Sequence, residues 1–291
     1  MRHPFTVIQG GAAEGASAAP MVGPLLWRVD LRRAVDVTEG EIAAWRGLLV
    51  RAGSAEPVYA DPDFLLAAAQ HQAGGRDLVF AFAWSHGNGP DRLHGVVPLA
   101  IPHPMWGNGQ IAPWQPHGVS VAPTIEAAVF DDVRDALADH LASVRPRGTL
   151  VLSDDPYAAS PVTNPGRTLR SVPKRVAIPA DALVGIRSAE SAQPERPAVE
   201  RISEPDRIRD AVEAFLILDA EVSPAPIIGD PSEAALVRVV TRLFAQRRQA
   251  SVELTRCDGA VVAATLRLGV GTQAVVWRQV AGVASLRARS A

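Results

Sequence analysis

Residues 250–280 read ASVELTRCDGAVVAATLRLGVGTQAVVWRQV, and this stretch decides how the chain is organised. It spells three short strands in succession. Residues 251–255 alternate apolar and polar side chains, Asp258-Gly259 is a tight-turn dipeptide, and 261–268 resumes a β-rich pattern. A second glycine-bearing turn at 269–271 leads into 273–280, which carries Val275, Val276 and Trp277. Directly upstream, 232–249 has the spacing of an amphipathic helix. A helix feeding an antiparallel meander predicts an α+β unit and, by itself, no chemistry.

Composition sets the outer bounds. A chain of 291 residues has room for two ordinary domains and can bury a real core. Its 47% hydrophobic and 21% charged content is that of a globular protein. With 29 basic against 31 acidic residues the formal charge is −2, which gives no electrostatic ground for a nucleic acid or an anionic membrane as partner. The single cysteine, Cys257, excludes an intramolecular disulfide and a cysteine metal cluster, and reads as a small buried hydrophobe. No window approaches the roughly 18–20 apolar residues of a membrane span. Residues 1–24 are rich in Gly, Ala and Ser, carry Glu14 and lack a continuous apolar run, so they read as a flexible leader rather than a signal peptide. The expectation is a cytoplasmic protein.

Upstream of the meander the pattern is consistent with α+β. Residues 27–31 look like a first strand, followed by a helix over 39–52 with Ile42, Trp45, Leu48 and Leu49 at helical spacing. Thr38 ahead of Glu41 predicts a capping box, and Asp61-Pro62 predicts the start of a helix over 63–73. Residues 77–84 are a strand too apolar to face water on either side, with 93–101 as hairpin partner. Pro98 places that partner at a sheet edge or in a bulge. Residues 102–123 read as a long irregular loop, 126–143 as a helix striped by Val129, Val133, Leu137 and Leu141, and 149–152 as a short strand. One more strand is expected at 174–178, and a helix over 205–220 precedes the final helix and meander. The layout thus predicts a first domain over 25–187, a linker at 188–198, a second domain over 199–280 and a tail at 281–291.

Several local phrases resemble one family. Trp45-Arg46-Gly47-Leu48-Leu49, then Glu56-Pro57 and Asp61-Pro62-Asp63-Phe64-Leu65, then His71, resemble an opening of the form W-x-x-L…N-P-F…P-x-W-L…H. Leu93-His94-Gly95-Val96-Val97-Pro98-Leu99 is similar to that family's glycine- and proline-bearing strand, and Phe215-Leu216-Ile217-Leu218-Asp219 to its F-L-x-L-E. The family is that of bacterial acetyltransferase-like proteins of the cellulose-biosynthesis type, with the GNAT N-acetyltransferase fold in tandem. The resemblance implies acyl transfer from acetyl-CoA or another acyl-CoA to an amine or hydroxyl, on a small molecule, sugar or polysaccharide precursor. In that fold the fourth strand serves the pantetheine, here through Val276, Trp277, Arg278 and Gln279, and the following helix serves the pyrophosphate. The chain departs from the family there. Residues 282–291 hold no S-P-G-like phosphate loop, and no W-K-G loop stands in 222–229. The expectation is a second domain that is C-terminally truncated, with an exposed last strand through which the chain self-associates.

The candidate residues have competing readings. Asp219 and Glu221, at the end of the 205–220 helix, are where a general base would be sought, or else form an exposed helix end. Trp106, Trp114 and His117 either line a groove for a sugar or acyl chain or cap the first core. Asp154-Asp155 reads as a solvated turn. Arg238, Arg242, Arg247 and Arg248 give the last helix a basic face, open to phosphates or simply suited to the helix dipole. The histidines, His86, His94, His103 and His117 among them, lack ligand spacing, so no metal site is expected. Two alternatives to acyl-CoA-dependent transfer remain: a catalytically inactive binding or scaffold protein of the same fold, and an aminoacyl transferase using charged tRNA, which the missing basic excess disfavours.

Overall fold

The structure is a computed structural model that describes residues 26–53, 57–87, 90–102, 109–152 and 198–282. The expected leader, the strand at 174–178, Asp154-Asp155, and most of the linker and tail lie outside the described residues.

The first half opens with β1 (Leu26–Arg32) and α1 (Glu39–Ala52). The helix starts at the expected capping box: Thr38 Oγ1 accepts the Glu41 N–H, and Glu41 Oε2 accepts the Thr38 N–H at 2.8 Å. A short helix, α2 (Pro57–Ala60), precedes α3 (Pro62–Gln72), whose first turn is capped by Asp61. Then come β2 (Asp77–His86), β3 (Arg92–Ile101), β4 (Gln110–Pro113), β5 (Thr124–Ile125), α4 (Phe130–Val144) and β6 (Thr149–Leu150). Strands β1-β2-β3-β4 are antiparallel neighbours, β6 adds to β4 in parallel, and β5 pairs β3.

The second half contains β7 (Ala198–Ile202), α5 (Pro205–Val222), α6 (Pro231–Gln246), β8 (Ala250–Cys257), β9 (Ala260–Leu268) and β10 (Val275–Ala281). Its sheet order is β7-β8-β9-β10, and every pairing in it is antiparallel. Both halves therefore run strand, helices, then three-stranded meander. The Asp258-Gly259 turn puts both residues at positive φ, 51° and 79°, as a two-residue hairpin loop requires.

Alternation along β2 sends Phe80, Phe82 and Trp84 to one face and Val79, Ala81 and Ala83 to the other. The second face is closed by α4 through Val133, Leu137 and Leu141, all fully buried. The first face meets Trp45, Leu48, Phe64 and Leu65 of α1 and α3, and this cluster continues without a break into Phe215, Phe244, Leu254, Leu266 and Trp277. The two sheets are flanked by helices but share one core, with α3 lying against α6. Burial of each large apolar side chain at this junction contributes about 1.5–3 kcal/mol.

Four expectations change. Within the supposed loop 102–123, β4 forms a strand at the sheet's far side, and β5 follows just after it. Strand β3 is interior, not an edge, and the register shift against β2 lies at Ala83/Trp84 rather than at Pro98. Pro98 is tolerated because β4 reaches only Leu99 and Ala100 in register; the Pro98 carbonyl accepts the Trp114 N–H at 2.8 Å, where the β4 ladder stops. Helix α6 ends at Gln246 because Arg248 turns left-handed (φ 57°). The Arg248 and Gln249 N–H groups then close on the carbonyls of Ala245 and Phe244, a Schellman ending. The basic face is also halved: Arg238 is held by Glu213 and Arg247 by Asp61 and Asp63, while Arg242 and Arg248 are exposed. Among the described residues, no helix is long and apolar enough to cross a membrane.

Candidate active site

The register shift in β3 builds the site. Trp84 pairs with Leu93 and Ala83 with Gly95, so His94 is the extra residue that the bulge inserts. A bulge re-aims a side chain, and here it turns His94 onto the α4 side of the sheet. There His94 Nε2 lies 2.9 Å from Ser85 Oγ on β2, and Nδ1 lies 3.0 Å from Glu126 Oε2. Glu126 comes from the chain between β5 and α4, and its backbone N–H donates to the His94 carbonyl at 2.9 Å. Trp27, the β1 partner of Ser85, sets its ring edge-on to His94 at 5.4 Å. Gly95 keeps the approach of α4 open: a Cβ there would stand 2.8 Å from Val133 Cγ1.

Hydrogen bonding sets the charge state of Glu126. Burial alone would raise the Glu126 carboxyl, but hydrogen bonds from Arg51, Arg92 and His94 hold it down at about 2. Arg51 Nε donates to Oε1 at 2.6 Å, and Arg92 Nη2 reaches both oxygens at 3.0 and 3.1 Å. An ionised carboxylate can only accept, so the Nδ1–H tautomer that satisfies Glu126 leaves Nε2 to accept from the Ser85 hydroxyl. Serine, histidine and carboxylate stand in the order that acyl-transfer catalysis uses. Ser85 and His94 each keep 7% exposure, and Glu126 is also mostly buried. No local motif marks this trio; the serine and glutamate lie 41 positions apart in ordinary contexts.

The residues singled out from sequence are placed elsewhere. The Asp219 carboxylate is buried and accepts the Ile227 N–H at 2.6 Å, tying the loop after α5 to the helix, while Glu221 is exposed. On β10, Val276 and Gln279 face solvent, whereas Trp277 is buried edge-on against Phe64 at 5.7 Å and Arg278 binds Glu233. Trp114 lies in the shared core. His117 is exposed, its N–H donated to Gln72 Oε1 at 2.9 Å. Trp106 lies outside the described residues. The structure thus joins Trp277, Arg278 and the Gln72 that holds His117 along the junction of the halves, and leaves Asp219 and Glu221 apart from them.

That junction is ionic as well as apolar. Arg247 spans Asp61 and Asp63, each at 3.0 Å, Arg46 joins Asp63 at 2.9 Å, and Gln72 donates to Glu233 at 2.9 Å. Glu233 also receives Arg278.

A phosphate-bearing donor such as acyl-CoA does not fit the first half at its expected helix. The first turn of α4 carries Asp131 and Asp132, its N-cap residue Val129 offers no side-chain bond, and Glu126 lies just ahead. Two carboxylates in the first turn of a helix repel the anion that such an end otherwise attracts. In the second half, β10 has no outer strand partner among the described residues.

No family model and no curated protein matches the chain. A solved structure described as a tandem GNAT protein from the clavulanic acid biosynthesis pathway, without AcCoA, aligns at 15% identity with a TM-score of 0.37. The alignment covers 89% of this chain and 80% of that one.

Proposed function

We propose that the chain is a tandem acyltransferase-fold protein that moves an acyl group from an acyl-CoA thioester to an amine or hydroxyl on a small molecule or glycan precursor. The observation that supports it most directly is the repeated layout of strand, helices and antiparallel meander, with a parallel strand beside the fourth strand of the first half. The resemblance of the sequence phrases agrees with that layout. Donor binding is assigned to the second half. There the edge of β10 offers backbone groups to a pantetheine amide, whereas in the first half β6 already covers β4 and the following helix begins with acids.

The test is calorimetry of the full chain with acetyl-CoA. Saturable heat is expected, and Gln279→Pro, which removes an edge N–H, should weaken it. No heat up to millimolar ligand would overturn the donor assignment. The second reading, a scaffold of the same fold without the cofactor, would then stand; the shared core and the acidic start of α4 already favour it for the first half.

A further inference from the structure

We propose that Ser85 is an acyl-accepting nucleophile, with His94 as its general base and Glu126 as the group that orients the imidazole. This goes beyond the thioester-transfer reading, which needs no covalent intermediate on the protein. Three observations carry it. The hydrogen-bond chain runs Ser85 Oγ to His94 Nε2 at 2.9 Å and His94 Nδ1 to Glu126 Oε2 at 3.0 Å, within the range a nucleophile and its base require. The histidine is the inserted residue of a bulge, so the backbone departs from regular pairing at the one place that aims its ring at the serine. Glu126 is fixed twice, by its own N–H on the His94 carbonyl and by Arg51 and Arg92 on its carboxylate, so the ring is oriented by a group that cannot swing away.

The substrate class follows from access. Ser85 and His94 keep 7% exposure each, and Trp27 and Arg92, the cross-strand neighbours of Ser85, flank the approach. Only a small acyl group on an activated ester or thioester reaches Oγ. In the first step Oγ bonds to the carbonyl carbon and its proton passes to His94 Nε2. The tetrahedral adduct then expels the alkoxide or thiolate, which takes that proton from Nε2 and leaves an ester on Ser85. In the second step water, or an acceptor amine or hydroxyl, attacks the ester, gives its proton to Nε2 and releases Ser85, which recovers the proton.

The experiment uses the full chain with p-nitrophenyl acetate. The expected result is a burst of p-nitrophenolate approaching one per chain, a mass gain of one acetyl group, and that group located on Ser85 by peptide mapping. Ser85→Ala should abolish both burst and mark. His94→Gln should slow the burst by about 10²–10⁴-fold. Far-UV circular dichroism and the melting midpoint are recorded for each variant, and Ser85→Cys, which keeps a nucleophile of similar size, should regain a burst if Ser85→Ala loses its fold. No burst in the parent chain, or a mark that persists in folded Ser85→Ala, overturns the proposal. Acetyl-CoA calorimetry reads the thioester proposal separately: heat retained in Ser85→Ala with the mark lost supports both, and heat absent from a parent chain that still takes the mark on Ser85 removes only the donor assignment.

Discussion

Arg51, in the last turn of α1, donates from Nε to Glu126 Oε1 and from Nη2 to the Leu93 carbonyl, both at 2.6 Å. One guanidinium thus joins a helix on one face of the first sheet, the bulged strand, and the lead-in to the helix on the other face. Arg51→Ala should loosen all three, at a cost of about 1–3 kcal/mol read from urea unfolding. If Glu126 is fixed for catalysis of Ser85 acylation, the acetylation burst should slow as well.

The depressed Glu126 carboxyl sets an acid limb. Its ordinary value is 4.5 and its folded value about 2, so its ionised form supports the fold fully above about 4.5, and that support drains away as pH falls towards 2. Melting midpoints measured from pH 5 to pH 2 should fall along this limb. Glu126→Gln should flatten it and lower stability at neutral pH by about 2–3 kcal/mol, because Arg51 and Arg92 lose their shared partner.

One core predicts one transition. Because Phe64 and Trp277 meet inside a single apolar cluster, tryptophan fluorescence and far-UV circular dichroism should trace coincident unfolding curves. Trp277→Ala should destabilise the whole chain by about 3–5 kcal/mol. Two separated transitions would show that the halves unfold independently.

The end of α6 holds an easily removed penalty. Arg248 is exposed and left-handed at φ 57°, where a glycine avoids the Cβ cost. Arg248→Gly should raise stability by about 1 kcal/mol, seen as a higher urea midpoint with an unchanged slope.

At Gly95 a methyl group would meet Val133. Gly95→Ala should cost about 1–3 kcal/mol by overpacking, and adding Val133→Ala should recover part of it. A double variant less stable than the sum of the singles would refute the contact.

The outer edge of β10 is the remaining surface to test. Val276 there is 43% exposed, and β10 has no outer partner among the described residues. Concentration-dependent association by light scattering is expected, reduced by Val276→Lys.

What could be read in the sequence was local. Thr38 and Glu41 form their box through four consecutive residues, and Asp61-Pro62 starts α3 with one bond, so both were legible as short patterns. Asp258-Gly259 likewise announces its own turn. Strands β4 and β5 were not legible, because two to four residues carry no periodicity and take their conformation from β3 and β6. The Ser85–His94–Glu126 chain was hidden for a related reason. Its geometry comes from a one-residue slip between β2 and β3, and a slip leaves no mark on residue type. Nor did the β10 sequence announce that Trp277 and Arg278 turn towards the other half, since an aromatic–basic pair looks the same at an interior junction as at a ligand edge.

The junction also constrains how this sequence can drift. Phe64 lies on Trp277, Gln72 on Glu233, and Arg247 on Asp61 and Asp63, so a substitution on one side changes which residues the other side will accept. The two halves are bound to vary as one, and a segment transplanted into either half would have to bring its counterpart along.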